Sequence, residues 1–303
     1  MKNISIILIN YNTAKFTLDC ISSIFEKTAK SIVFEIIVVD NNSEDEDFEI
    51  LCEGLKKRPE VVLHSSPINT GFGGGNMLGV HHAKGQYLLF INNDVILKND
   101  VLSVAYNFME SHTNVGVCTA QNFDEHNTFV ASFDHDKGLR KLIFGRSFLE
   151  TVNPAKYPKR KKQHQTPQDV NFVNGAFMFF RKDYFLEVEG FDPNIFLYFE
   201  EMDICYRIRK NGYKCVLLPQ AEIIHFQGAS TGKSKALEKE GFISYLYVLK
   251  KNYSTLKYTA IVLYLTLTFL IKPKKWDLLP IAIKGGDLAS SLKNKQIKRN
   301  PVR

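Results

Sequence analysis

Two short acidic segments stand where a group-transfer reaction needs carboxylates. Phe90-Ile91-Asn92-Asn93-Asp94 closes the apolar run Tyr87 to Ile91 with an acid, and Tyr198-Phe199-Glu200-Glu201-Met202-Asp203 opens the amphipathic stretch Ile204 to Lys210 with three. One acid could hold a cation while another takes a proton, the division of labour of a metal-assisted transfer site. On a helix, Glu201, Ile204, Cys205 and Ile208 fall at i, i+3, i+4 and i+7, so Glu201 lies at the N-terminal end of the apolar stripe and points inward. Asp203, Arg207 and Lys210 fall on the opposite, polar face, where Asp203 and Arg207 have the spacing of a helical ion pair. Glu201 is therefore the best placed of the three to be a general base. The competing account is that acids in a first helical turn only complement the macrodipole.

The elements that must position these acids alternate through the first half of the chain. Strands are expected at Ile4 to Ile9, Phe34 to Val39, Val61 to Leu63, Tyr87 to Ile91 and Val115 to Thr119, with helices at Ala14 to Glu26, Asp45 to Lys56, Gly74 to Ala83 and Val101 to Glu110. Such alternation indicates an α/β fold with a parallel, doubly wound sheet, whose ligands bind beyond the carboxyl ends of the strands. Those ends carry Asn10-Tyr11-Asn12, Asp40-Asn41-Asn42-Ser43 and Asn92-Asn93-Asp94. Three strands thus deliver polar groups to one rim. The Gly-rich turn Asn69 to Asn76 precedes a helix whose first amides could face an anion such as a diphosphate. It matches a dinucleotide fingerprint poorly, because Asn76 stands where the third Gly belongs and the turn follows the third strand, not the first.

From about residue 121 to 169 the pattern breaks down, with His126, Asp134, His135 and Asp136 scattered and Lys159 to Lys162 in a basic block. We read a long, partly mobile excursion whose basic block is solvated or touches phosphates. Order returns at Val170 to Phe180, an apolar strand broken by a small-residue step, and at the strand segments Tyr213 to Leu217 and Ile223 to Phe226. His225 ends the last of these; it is either a structural residue or a metal ligand.

A chain of 303 residues, 45% of them hydrophobic, can bury a sizeable core. Five cysteines without C-x-x-C spacing read as reduced thiols of a cytosolic protein, and the apolar run within Met1 to Asn12 is too short for a signal peptide. Residues 250 to 303 hold twelve Lys or Arg against Asp277 and Asp287, a net of +10, so subtraction from the chain's +7 leaves the rest at −3. A slightly acidic folded part argues against a nucleic-acid partner. The uncharged run Tyr258 to Ile271 is fourteen residues long and is followed by Lys272-Pro-Lys274-Lys275. A spanning helix needs about twenty residues. An interfacial helix held on an anionic bilayer fits, as does a core or homodimer-contact helix with a solvated basic end.

Taken in order, Ser5-Ile-Ile-Leu-Ile-Asn-Tyr-Asn12, Val38-Val-Asp-Asn-Asn-Ser43, Asn69-Thr-Gly-Phe-Gly-Gly-Gly-Asn76, Leu88-Leu-Phe-Ile-Asn-Asn-Asp94, Val173-Asn-Gly-Ala176, Gly190-Phe-Asp192 and Phe196-Leu-Tyr-Phe-Glu-Glu-Met-Asp-Ile-Cys205 resemble the family 2 glycosyltransferases. Within that family the pattern is most similar to the rhamnosyltransferase-like branch, over about residues 3 to 253. The resemblance implies a GT-A fold, with a Rossmann-like nucleotide-binding half at 1–120 and an acceptor and catalytic half at 121–253; the charge pattern adds a basic helical tail at 254–303 that associates with a membrane or contacts another subunit. It also implies a dTDP- or UDP-sugar donor, Mg2+ or Mn2+, and inversion at the anomeric carbon. A glycan or lipid-linked acceptor follows, with the protein peripheral at the cytoplasmic face of the membrane.

Carried over residue by residue, Asp94 matches the last acid of the D-x-D motif and would hold the metal against the donor diphosphate, with Asn92 at its first position and Asn93 between. Asp40, Asn10 and Asn42 match positions that hold the nucleotide base and ribose, and Gly71 lies in the turn expected beside the diphosphate. Glu201 falls where the family has an Asp base, one methylene longer in reach, and Asp203 or Glu200 could share that role. His225 matches a position that completes the metal site in some relatives. The alternatives kept beside this reading are a polyprenyl-phosphate sugar synthase and an NAD(P)-dependent oxidoreductase.

Overall fold

The computed structural model describes residues 3–226 and 234–298. Its first half runs β1 (Ile4–Asn10), α1 (Ala14–Lys27), β2 (Phe34–Asp40), α2 (Asp45–Leu55), β3 (Val61–Ser65), α3 (Gly71–Val80), β4 (Tyr87–Ile91), β5 (Val95–Leu97), α4 (Val101–Ser111) and β6 (Val115–Phe123). The β1, β2, β3 and β4 strands pair in parallel in the order β3-β2-β1-β4, so the chain reverses direction across the sheet between β1 and β4. The crevice at that reversal is where an open α/β sheet binds its ligands.

These strands are apolar on both faces because both faces are covered. Alternate residues of β1 feed separate cores: Ile4, Ile6 and Leu8 pack with the buried sides of α1, α2 and α4, whereas Ile7 joins Val39, Leu88 and Phe90 on the other face. The α1 stripe, Ala14, Thr17, Cys20, Ile21 and Ile24, is buried at helical spacing.

The expected excursion after residue 121 is folded. It contains β7 (Phe129–Val130), β8 (Phe133–Asp134), α5 (Leu139–Phe144), α6 (Arg146–Val152) and β9 (Gln168–Asp169). Phe133 and Leu149 are buried, His135 is fully enclosed, and Asp136 pairs with Arg209 at 2.7 Å. The apolar run after Val170 splits at Asn174 into β10 (Phe172–Val173) and β11 (Phe177–Arg181). The β11 strand runs antiparallel between β4 and β6 and continues into α7 (Lys182–Glu187). Beyond it, α8 (Glu200–Lys210) leads into β12 (Lys214–His225), a single strand with a register shift between Leu218 and Glu222 where the sequence suggests two segments.

The chain then forms α9 (Lys235–Asn252), α10 (Thr255–Leu270) and α11 (Leu279–Ile283). The tail is therefore not a detached appendage. Ile261, Leu265, Phe269, Leu278 and Ala282 are buried in the same core as Leu246 and Leu249 of α9, while Leu256, Leu263, Leu267 and Leu270 on the other side of α10 are exposed. Among the described residues no helix is long and apolar enough to cross a membrane.

Candidate active site

Strand register explains how Asp94 and His225, 131 positions apart in sequence, come together. The short β5 strand pairs antiparallel with the end of β12, and Val95 lies opposite His225. Asp94, the residue before Val95, places its Oδ1 3.3 Å from His225 Nε2. The Nδ2 of Asn92 is 3.4 Å from the same ring nitrogen. Asp94 is almost wholly buried. Asn93 also lines the first cavity, and its amide donates to the hydroxyls of Thr13 and Thr17 at the start of α1.

The second acidic cluster is aimed by unusual backbone. Tyr198 and Phe199 have φ values of +68° and +69°. For residues with a Cβ this conformation costs of order 1 kcal/mol or more each, and such strain concentrates at functional sites. It delivers the chain into α8 with Glu200 and Glu201 together. Glu200 is buried, and its Oε2 has no hydrogen-bond partner among the described residues. Burial first, and then the neighbouring Glu201 charge, push the Glu200 carboxyl well above the ordinary glutamate value. Glu201 is half-buried and is also raised, chiefly by desolvation; Lys137 opposes the shift and Asp134 adds to it. Two adjacent carboxyls in this setting lose their protons as a pair.

Two cavities meet at this cluster. The first, of about 640 Å3, is lined by Asp94, Asn92, His225, Glu200, Glu201 and Arg160 in one part. Tyr11, Asn41, Asn69 and Gly71 from the β1, β2 and β3 ends bound its other part, and Leu292 and Gln296 of the last described segment also line the cavity. The second cavity, of about 700 Å3, has Phe199, Phe242 and Tyr245 as aromatic walls and Lys137 and Lys275 as cations. Lys137 Nζ lies 4.4 Å from the centre of the Phe199 ring, and Lys275 pairs with Glu238 at 2.6 Å. Tyr198, Glu201 and Leu237 line both cavities.

Several residues singled out from the sequence lie elsewhere than expected. Asn10 is fully enclosed: its amide donates to Asp40, Ser43 and Asp47, and its Oδ1 accepts from Thr17. Asp40 is likewise engaged by Asn10 and the Ser43 amide. Asn42 donates to the Ile297 carbonyl at 3.2 Å. None of the three lines the first cavity; Asn41, between the last two, does. Asn41 spans from β2 to the glycine segment, donating to Asn69 Oδ1 and the Gly71 carbonyl and accepting from Thr70.

The glycine segment is also not the expected anion-binding turn. Helix α3 starts at Gly71 itself, and its first two amides donate to Asn69 Oδ1 and the Phe196 carbonyl. Gly71 borders the cavity through its backbone, but it is glycine for another reason: φ is +76°, and a Cβ there would come within 1.9 Å of the Phe196 oxygen.

Asp203 corrects the assignment of the polar face. Its ion pair with Arg207 is present at 2.6 Å, yet the side chain is fully buried, because Lys251 and Asn252 of α9 cover it and donate to it as well. Of the face that reads as polar, Asp203 is packed under α9 and Arg207 donates to the Val188 and Gly190 carbonyls, while Lys210 stays exposed. A carboxylate with this many donors is a packing centre, and Asp203 does not line either cavity. Arg160 carries the opposite lesson: one member of the basic block enters the first cavity while Lys159, Lys161 and Lys162 stay exposed. Beyond His225, the residues 227–231 that the resemblance includes lie outside the described residues.

The Asp94–His225 pair can take a divalent cation. Among the described residues there is no gathering of three or more His, Cys, Asp or Glu side chains. A hard cation that keeps its waters and arrives with phosphates needs only one or two protein ligands, so the pair suits such an ion.

The family model for glycosyl transferase family 2 matches residues 5–188. Rhamnosyltransferase WbbL of Escherichia coli (strain K12) is 28% identical over 205 residues, 61% of this chain and 75% of that protein. The N-acetylglucosaminyl-diphospho-decaprenol L-rhamnosyltransferase of Mycobacterium tuberculosis (strain CDC 1551 / Oshkosh) is 31% identical over 78 residues, 26% of this chain and 25% of its own. Among solved structures, GalNAc-T7 with UDP, GalNAc and Mn2+ superimposes with a TM-score of 0.65 at 15% identity, over 94% of this chain and 56% of that one. Its architecture is that of this chain.

Proposed function

This chain belongs to glycosyl transferase family 2 and is a glycosyltransferase, and we propose that it moves a hexose, rhamnose by preference, from a dTDP- or UDP-sugar to an acceptor hydroxyl with inversion. The first cavity takes the donor and the second the acceptor. One observation carries this reading: Glu201 lines both cavities, at the place where an acceptor hydroxyl in one would meet the donor's anomeric carbon in the other. In the transfer, the acceptor oxygen forms a bond to the anomeric carbon from the face opposite the diphosphate. Glu201 accepts the hydroxyl proton, and the bond to the diphosphate oxygen breaks. The Mg2+ or Mn2+ that Asp94 and His225 would hold supplies positive charge to the leaving diphosphate. Arg160 adds a fixed positive charge in the same cavity.

The acceptor cavity favours a sugar carried on a diphosphate. Aromatic rings suit the apolar face of a sugar ring, and Lys137 and Lys275 suit the phosphates. The mycobacterial relative's name is that of an enzyme acting on a sugar joined through a diphosphate to a polyprenol. An acceptor of that class lies in a membrane, and the exposed apolar side of α10, with Lys272, Lys274 and Lys275 at its end, is suited to rest on an anionic cytoplasmic leaflet.

The test uses two substitutions. Glu201→Gln keeps the side chain's shape and removes its basicity; turnover should fall roughly a hundredfold or more while nucleotide-sugar binding persists. Asp94→Ala should abolish the Mn2+-dependent part of donor binding with the melting temperature unchanged. Near-normal turnover of Glu201→Gln would shift the base to Glu200, and donor affinity indifferent to Asp94 and to Mn2+ would remove the metal from the mechanism.

A further inference from the structure

The last described residues, 288–298, reach the donor cavity, whose wall includes Leu292 and Gln296, and the reason is a buried carboxylate. Glu240 of α9 is 2% exposed, and both its oxygens are taken by this segment: Oε1 accepts from the Ser291 hydroxyl and Oε2 from the Leu292 amide, each at 2.7 Å. A buried anion held by two charge-assisted bonds fixes its partners firmly, because losing them leaves the charge desolvated and alone. The approach is equally determined. At Gly286, φ is +69° and a Cβ would meet Leu246 Cβ at 2.5 Å, so the chain turns tightly against α9 before it reaches Ser291. Beyond the latch, Lys293 Nζ donates to the Pro193 carbonyl at 2.6 Å, and the Ile297 carbonyl accepts from Asn42 at 3.2 Å. The segment therefore runs from α9 to the carboxyl end of β2.

Leu292 and Gln296 form part of the cavity wall on this path; Gln296 precedes Ile297, which Asn42 holds, so it stands at the β2 end beside Asn41, with its amide donating to the Leu292 carbonyl and its Oε1 left to accept. With the diphosphate directed to Asp94 and His225, the part bounded by Tyr11, Asn41 and Asn69 is left for the nucleoside. We infer that residues 288–298 form a strap, latched by Glu240, that completes the nucleoside-binding end of the donor site, with Leu292 supplying an apolar contact and Gln296 a polar one to the nucleoside. This rests on the donor reading of the cavity. It also gives Lys295 and Lys298, both exposed on the strap, a position from which they attract an anionic donor.

The experiment is nucleotide binding by calorimetry, using UDP, dTDP and GDP with Mn2+ on the full chain, on a chain ending after Asp287, and on the double variant Leu292→Ala with Gln296→Ala. The double variant leaves the Glu240 latch intact and so separates a lost contact from a lost fold. The full chain should bind at least one of the three, and both altered chains should bind it at least roughly tenfold more weakly. Amide exchange of 288–298 in the full chain should slow when that nucleotide is added. Unchanged affinity in the double variant, or tighter binding after truncation, would overturn the inference, the second by showing a plug in place of a wall. Asp94→Ala distinguishes the two levels: if it loses Mn2+-dependent binding while both strap variants keep theirs, the donor site stands and the strap falls. A full chain that binds none of the nucleotides overturns both.

Discussion

Glu200 carries a cost that pH should expose. As a buried acid with an unpartnered oxygen beside a second carboxyl, it is held above the ordinary glutamate range by burial and by Glu201. A carboxyl whose pKa is raised on folding binds its proton more tightly in the native state. Its contribution to stability is therefore complete below the unfolded value and is lost as pH rises through the folded one. The wild-type urea midpoint should fall as pH climbs above the ordinary glutamate range, and Glu200→Gln should flatten that slope. Equal slopes in the two proteins would mean that Glu200 is ionised in the native state. Glu201 titrates in the same pair, with Lys137 and Asp134 as its charged neighbours, so the acid limb of kcat/KM should also lie above the ordinary glutamate range and move in Glu200→Gln. Asp203 is a different kind of acid. Removing one partner of a buried pair typically costs about 3–5 kcal/mol, so Asp203→Ala should lower activity through stability, and a melting curve reveals that before any assay does.

At the scale of elements, Gly71 joins two parts of the site. The α3 helix begins where the Phe196 carbonyl crosses it, and Phe72 N donates to that carbonyl at 3.0 Å. Phe196 stands two residues before the strained Tyr198, so the start of α3 helps to fix the path into α8. Gly71→Ala should destabilise the chain by about 2 kcal/mol or more, since the left-handed φ and the Phe196 oxygen both oppose a Cβ. Urea midpoints of the variant and wild type check it, and an unchanged midpoint removes the contact from the account. Elements of this length were readable in the sequence wherever periodicity had room to repeat: α8 is found over Glu200–Lys210 as its apolar stripe demands, and β4 over Tyr87–Ile91. What escaped was short or offset by one residue. Val95–Leu97 is too brief for a two-residue period to register, yet that strand seats His225 against Asp94. Asn41 hides between two more conspicuous polar neighbours, and a one-residue difference at a strand end decides which side chain meets the cavity. The buried setting of Asp203 depends on Lys251 and Asn252 of α9, 48 and 49 positions away, and a helix read alone cannot reveal what covers it.

For the whole molecule, the exposed large apolar side chains are unevenly placed. Leu256, Leu263, Leu267, Leu270 and Ile271 on α10 and just after it, and Ile143, Phe144, Phe148 and Val152 on α5 and α6, account for half of those exposed among the described residues. The two groups are neighbours, since Tyr264 of α10 donates to the Leu142 carbonyl at 3.0 Å. An apolar area assembled from separate segments marks an interaction surface more strongly than scattered single residues do. The same segments carry basic residues, Arg140 in α5, Arg146 in α6, Lys257 in α10 and Lys272 and Lys274 just after it. On the membrane proposal made above, the excursion shares the tail's membrane-facing role. Near an anionic leaflet each Lys or Arg contributes about 1 kcal/mol, and the apolar contact adds to that. Full-length protein should sediment with phosphatidylserine vesicles at low ionic strength and be released as salt shortens the Debye length. Leu263→Glu with Leu267→Glu should weaken this binding, and Phe144→Glu with Phe148→Glu should weaken it comparably, while nucleotide affinity stays intact in both. If only the α10 pair matters, α5 and α6 are not part of the face. If neither does, and the same substitutions instead dissociate a dimer in sedimentation velocity, the surface joins two copies of this chain and the membrane assignment is wrong.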